Sequence, residues 1–182
     1  FYKIDTISCN VVYSNVLSNI TPRSEHSMVA IDTDIYIYDL NNFYKIDTTS
    51  CTVVYSNVLN IIIARSEHSM VAIETDIYIF GGRSGIDYLN DFYKIDTINY
   101  NVTKITSDGF DGSISERHQH SMVAIDTDIY IFGGKNNEGH LNDFYKIDTI
   151  SCNVVYSNVL SNITPRSEHS MVAIDTDIYI YD

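Results

Sequence analysis

The chain has 182 residues, with 24 acidic against 11 basic side chains, a formal charge of −13 and a pI near 4.6. Nucleic acid is excluded as the main partner, because phosphate binding needs clustered Lys and Arg, and an anionic membrane has no electrostatic hold on such a chain. Apolar residues make up 45%, with 15 Tyr, 7 Phe and only 2 Pro, which favours a packed, strand-rich core over disorder.

No apolar run approaches the roughly 18–20 residues that span a bilayer. The dominant signal is internal repetition. The segment FYKID begins at Phe1, Phe43, Phe92 and Phe144, at spacings of 42, 49 and 52 residues. HSMVAI recurs from His26, His68, His120 and His169, and DIYI from Asp34, Asp76, Asp128 and Asp177. Residues 1–39 and 144–182 are identical, so the chain returns to its starting phase. Four units follow, 1–42, 43–91, 92–143 and 144–182, each in the strand order c-d-a-b, with half a blade at either end.

Each unit reads as short strands divided by turn signals, without helical periodicity. In the central part, strand a is predicted over His68–Ile73, b over Ile77–Phe80, c over Phe92–Asp96 and d over Val102–Ile105. In strand b, Ile77 and Ile79 point to one face and Tyr78 and Phe80 to the other. A sheet apolar on both faces must be covered on both, and stacking like sheets around an axis achieves that. The a–b turn (Asp-Thr-Asp or Glu-Thr-Asp) lacks Gly, which argues against a type I′ hairpin.

Arg65-x-x-His68-Ser69, the strand ending Phe80-Gly81-Gly82, and Leu89-Asn90-Asp91-Phe92 resemble the kelch repeat. The resemblance covers essentially the whole chain and implies an all-β fold, a β-propeller of four-stranded kelch blades. About four blade equivalents are present, read as an arc of a larger ring. An open arc would expose an apolar blade face and invite self-association. Three features depart from the pattern. Val11, Val53, Val102 and Val154 replace the usual strand-d Trp; the first and last units read IYIYD without the double Gly; and the first b–c loop runs directly from Asp39 to Asn42.

The d–a and b–c loops share one end of the blades and vary in length, as binding loops on a rigid scaffold do. Arg83, Tyr88, Lys135, Asn136, Asn137 and His140 are the candidate partner contacts. Arg117 and His118 join them, because Arg117-His118-Gln119-His120 breaks the Arg-Ser-Glu-His pattern of the other units. Arg23, Arg65 and Arg166 are expected to brace each repeat, and His26, His68, His120 and His169 to form a repeat-level hydrogen bond. Gly81, Gly82, Gly133 and Gly134 are expected to take positive φ or permit close approach.

No metal or other cofactor is expected: the histidines lack neighbours at ligand spacing, and one Asp pair per turn gives Ca²⁺ too few oxygens. The acidic a–b turns are read as solvated. Cys9, Cys51 and Cys152 occupy one repeat position and lie too far apart to pair, which suits a reducing, cytoplasmic compartment. The sequons at Asn19, Asn101 and Asn162 keep secretion in view. No nucleophile elbow, phosphate loop or HExxH motif is present. The expected role is therefore a non-enzymatic protein-interaction module, an adaptor or scaffold, with substrate recognition for a ubiquitin ligase as one form of it. The alternative is a carbohydrate-binding, small-ligand or enzymatic propeller resembling galactose oxidase.

Overall fold

The computed structural model describes residues 2–4, 11–13, 24–50, 52–56, 61–106 and 113–182. The strands are β1 (Tyr2–Ile4), β2 (Val11–Tyr13), β3 (Ser27–Ile31), β4 (Asp34–Asp39), β5 (Asn42–Asp47) and β6 (Thr52–Ser56). Then come β7 (Ser69–Ile73), β8 (Asp76–Phe80), β9 (Arg83–Ser84), β10 (Asp87–Tyr88), β11 (Phe92–Asp96) and β12 (Val102–Lys104). The series ends with β13 (Ser121–Ile125), β14 (Asp128–Phe132), β15 (Lys135–Asn136), β16 (Gly139–His140), β17 (Asp143–Asp148), β18 (Asn153–Val159), β19 (Ser170–Ile174) and β20 (Asp177–Tyr181). No helix occurs among the described residues.

Three antiparallel four-stranded sheets run β3-β4-β5-β6, β7-β8-β11-β12 and β13-β14-β17-β18, and are called here the first, second and third blades. β1–β2 and β19–β20 form two-stranded sheets. All are consistent with an arc of a kelch propeller. The innermost strands β3, β7, β13 and β19 lie side by side in that sequence.

The alternation inside each strand decides how blades stack. Val29, Tyr36, Tyr38 and Phe43 of the first blade pack against Met70, Ile77, Ile79, Tyr93 and Ile95 of the second. The second blade repeats the scheme, setting Val71, Tyr78, Phe80 and Phe92 against Met122, Ile129, Ile131 and Ile147 of the third. Each seam thus joins a Tyr/Phe face to a Met/Ile face. With Val at Val102 and Val154 where the repeat usually has Trp, strand d still contributes to these clusters from their margins.

The a–b turns are two-residue loops, since Ile73 pairs with Asp76 and the other blades match. Positive φ falls only on the first loop residue (Asp32, Glu74, Asp126 and Asp175, 53–54°), whereas type I′ needs it at both. The following Asp is not simply solvated. Asp34 and Asp128 pair with Lys45 and Lys146 across the sheet at 2.7 Å, and Asp76 pairs with Lys94. The neighbouring c–d turns are closed by Asp47, Asp96 and Asp148, whose carboxylates accept backbone N–H bonds and are thereby held below the usual carboxylate range; for Asp96 the Asn99 side chain contributes most.

The double glycines carry the predicted conformation. Gly82 has φ +93°, and a Cβ there would lie 2.6 Å from the Ser66 carbonyl oxygen; Gly134 repeats this beside the His118 carbonyl. Gly81 and Gly133, near φ +60°, sit against the carbonyls of Arg117 and Arg166. In the first blade Leu40, at φ +51°, replaces the missing pair. Its N–H bonds the Arg65 carbonyl as Gly82 N–H bonds Arg117, and its C=O receives Arg65 N–H as Leu89 C=O receives Arg117 N–H. The intervening hairpin is thus cut out while both ladder bonds to the next blade survive.

Candidate partner-binding face

The d–a and b–c loops meet at one end of the blades, where isolated bridges join Ser66 to Arg83 and His118 to Lys135. Two β-hairpins rise there: β9–β10 turns at Gly85-Ile86 and β15–β16 at Asn137-Glu138. The second is pinned from within, because the buried Asn136 side chain accepts the Glu138 N–H at 2.9 Å.

Beneath the hairpins, repeat arginines clamp the second and third blades. Arg65 Nε donates to the Ile63 carbonyl at 3.1 Å and one terminal nitrogen to the Gly81 carbonyl at 2.9 Å, while both terminal nitrogens grip the Asp91 carboxylate. Arg117 repeats the set on Ser115, Gly133 and Asp143, and each guanidinium lies over a tyrosine, Tyr93 or Tyr145. Arg166 reaches Thr164 and Asp182 in a more open setting. Bidentate, desolvated pairs of this kind are strong because the planar guanidinium matches both carboxylate oxygens. Burial also pushes the neighbouring Tyr38 phenol up to about 12, the Arg65 charge opposing it. Arg117, expected among partner contacts, has no exposed surface and cannot be touched while the blade is closed. Arg23 lies outside the described residues.

The histidines depart from expectation. The side chains of His68 and His120 are buried and have no hydrogen-bond partner at either ring nitrogen. The repeat-level bond involves the backbone instead: Ser27, Ser69 and Ser121 hydroxyls donate to the carbonyls of His68, His120 and His169 in the next unit at 2.5–2.6 Å. The imidazoles are aromatic wedges between blades, with ring centroids 5.0–5.2 Å from Tyr38, Phe80 and Phe132. Burial lowers their pKa, to about 3 for His68, well down for His120, and downward also for His169. His26 is exposed.

Around the axis, Glu25, Glu67, Gln119 and Glu168 share positive φ (56–65°) and a backbone ladder in which the N–H groups of Glu67, Gln119 and Glu168 donate to the carbonyls of Glu25, Glu67 and Gln119. They rim a recess of about 340 Å³ whose walls include His26, His68, His120 and His169. Glu67 is its hub, 2.7 Å from His118 Nδ1, 2.8 Å from Arg83 Nε and accepting Gln119 Nε2 at 3.0 Å. Gln119 also donates to Glu168 at 2.8 Å, so its amide joins two carboxylates that a third Glu would repel. Tyr88 stacks on His118 with centroids 4.5 Å apart.

These contacts divide the sequence candidates. Arg83, Tyr88 and the buried His118 meet at the base of the first hairpin and hold it down, whereas Asn137 and His140 are exposed and Lys135 is partly so. Sequence reasoning singled out the 117–120 departure but saw in Glu67 only the acid that accompanies the repeat arginine; its letter is the same in three units and its role comes from the changed neighbours. Among the described residues no group of three or more His, Cys, Asp or Glu is disposed to hold a metal ion. Cys152 lies at a c–d turn with its thiol donating to the Thr149 carbonyl at 3.4 Å; Cys9 and Cys51 lie outside the described residues.

Residues 21–181 match the family model described as the KLHDC2/KLHL20/DRC7 Kelch-repeats domain. A tRNA wybutosine-synthesizing protein 2/3/4 of Oryza sativa subsp. japonica is 33% identical over 82 residues, 44% of this chain and 7% of that relative's length.

Proposed function

Because this chain belongs to the kelch-repeat family, we propose that it is a protein-interaction module that takes its partner on the end carrying the d–a and b–c loops. One observation carries the reading: two hairpins stand on that end already ordered, one held by the Arg83–Glu67 and Tyr88–His118 contacts and the other by its Asn136 turn. A pre-ordered loop loses little conformational freedom on binding, so more of its contact energy appears as affinity. The role that fits is an adaptor or scaffold, with substrate capture for a ubiquitin ligase as its sharper form.

Lys135→Glu with His140→Glu tests the reading without touching the clamps. Capture of partner protein from the native source should be lost while the melting temperature stays within about 1 °C, a ΔΔG of a few tenths of a kcal/mol. Capture that survives these changes but is lost with Ile98→Glu and Ile150→Glu, at the opposite end, would move the binding site there.

A further inference from the structure

The loop end is not equally polar around the arc. In the d–a segment before Arg65, Ile62 is buried in the seam between the first two blades, and its neighbours Ile61 and Ile63 are 63% and 54% exposed. The corresponding residue before Arg117 is buried Ile114, flanked by exposed Ser113 and Ser115; before Arg166, Ile163 is flanked by exposed Asn162 and Thr164. The fold therefore needs the central Ile and accepts polar neighbours, yet this one junction carries isoleucine at both outward positions.

Two more departures converge there. Leu40 is 51% exposed, while its counterparts Leu89 and Leu141, which lead out of the hairpins that the first blade lacks, are partly covered. Leu40 is laddered to Arg65, two residues from Ile63, whose carbonyl also receives the Tyr38 hydroxyl at 3.4 Å. On the other side of the same Arg65-Ser66 pair, Ser66 is laddered to Arg83, and the hairpin that starts there ends in Ile86, 93% exposed, where the sister hairpin has Glu138. Single exposed aliphatic residues are ordinary, but four around one junction, at positions polar or covered elsewhere in the same repeat, are not explained by folding.

We propose that Leu40, Ile61, Ile63 and Ile86 form the apolar contact of the partner-binding face, and that its occupant is a partner-protein segment bearing apolar side chains beside Lys or Arg. The proposal rests on the loop-end reading above. The basic component follows from charge: Asp87, next to Ile86, is exposed, and Glu25, at the recess, keeps an exposed carboxylate only loosely paired with Arg83 at 4.0 Å, on a chain of formal charge −13. Apolar anchors ringed by complementary charge are how such interfaces divide affinity from steering.

The test places a photo-crosslinking residue in the full-length protein in its own cells, singly at Ile63, Ile86, their counterparts Ser115 and Glu138, and Ile98 at the far end. The expected result is crosslinking from Ile63 and Ile86 to one protein, which is then purified as the probe. Its affinity should fall at least tenfold with Ile61→Ser/Ile63→Ser, at unchanged melting temperature, and weaken further as salt is raised. Crosslinks from Ser115 and Glu138 but not from Ile63 or Ile86 would overturn the patch and leave the loop-end reading standing. Crosslinks confined to Ile98, or none from any position, would overturn both. A crosslink from Ile63 to a second copy of this chain would replace the partner by self-association.

Discussion

Acid should loosen this protein through its blade seams, and His68 allows the size to be worked out. The imidazole is buried against Tyr38 without a hydrogen-bond partner, and burial lowers its pKa to about 3. In the unfolded chain the same ring titrates near 6.5. Below that pH the unfolded chain binds a proton that the folded one refuses, so the seam's stability is complete above about pH 6.5 and is lost progressively as pH falls toward 3. Between about pH 7.5 and pH 5 the loss from His68 alone is about 2 kcal/mol. His120 adds in the same direction. Neutralising carboxylates on a chain of charge −13 relieves self-repulsion and acts oppositely, so the informative quantity is a difference between variants. Urea unfolding followed by circular dichroism at both pH values should show His68→Phe at least as stable as the parent at pH 7.5, and less sensitive to acid by about 2 kcal/mol. His68→Leu covers the case in which the larger Phe ring overpacks. Equal acid sensitivity in all three proteins would refute the reasoning.

The clamps and glycines give further expectations. Arg117→Ala leaves the largely buried Asp143 carboxylate without its guanidinium and should cost about 3–5 kcal/mol, whereas Arg166→Ala, whose partner Asp182 is well exposed, should cost about 1 kcal/mol or less. Denaturation midpoints compare the two directly, and equal losses would contradict the burial argument. Gly82→Ala places a methyl 2.6 Å from the Ser66 carbonyl and should destabilise by more than the roughly 1–3 kcal/mol of a strained backbone alone. Gly85→Ala, at φ +62° but with open space around it, should lose only about 1–2 kcal/mol; a Gly82 variant no worse than the Gly85 one would remove the steric account.

The strands were legible because strand b alternates Ile with Tyr or Phe, a two-period pattern apolar on both faces that only stacked sheets can bury. Strand c is found over Phe92–Asp96 as predicted, while strand a begins at Ser69, opposite Phe80, the last ladder residue of strand b before Gly81 turns its N–H to the Asp91 carbonyl. The histidine role was not legible. A polar ring repeated in every unit suggests a hydrogen bond, and only three-dimensional packing reveals it as a wedge between aromatic faces. Arg117 and Asn136 were misread for a related reason: loop sequence reports polarity, not whether a carboxylate or backbone N–H already occupies the side chain. Ile61 and Ile63 escaped notice because an Ile-Ile-Ile run reads as buried; alternation around Ile62 turns two of the three outward.

Where one unit meets the next, the same joint recurs: a serine hydroxyl on a histidine carbonyl, a residue of positive φ on the ladder, and a Tyr/Phe face on a Met/Ile face. Such a joint does not record which unit it belongs to. Whole units can then be copied or deleted without redesigning the parts around them, as links are added to a chain with a single pattern of coupling. The 39-residue identity between the two ends of this sequence is what an architecture of interchangeable couplings would tolerate. A joint that carries its own private chemistry, such as the His118–Glu67–Arg83 contact, fixes one unit beside a particular neighbour and so limits where the series can be recut.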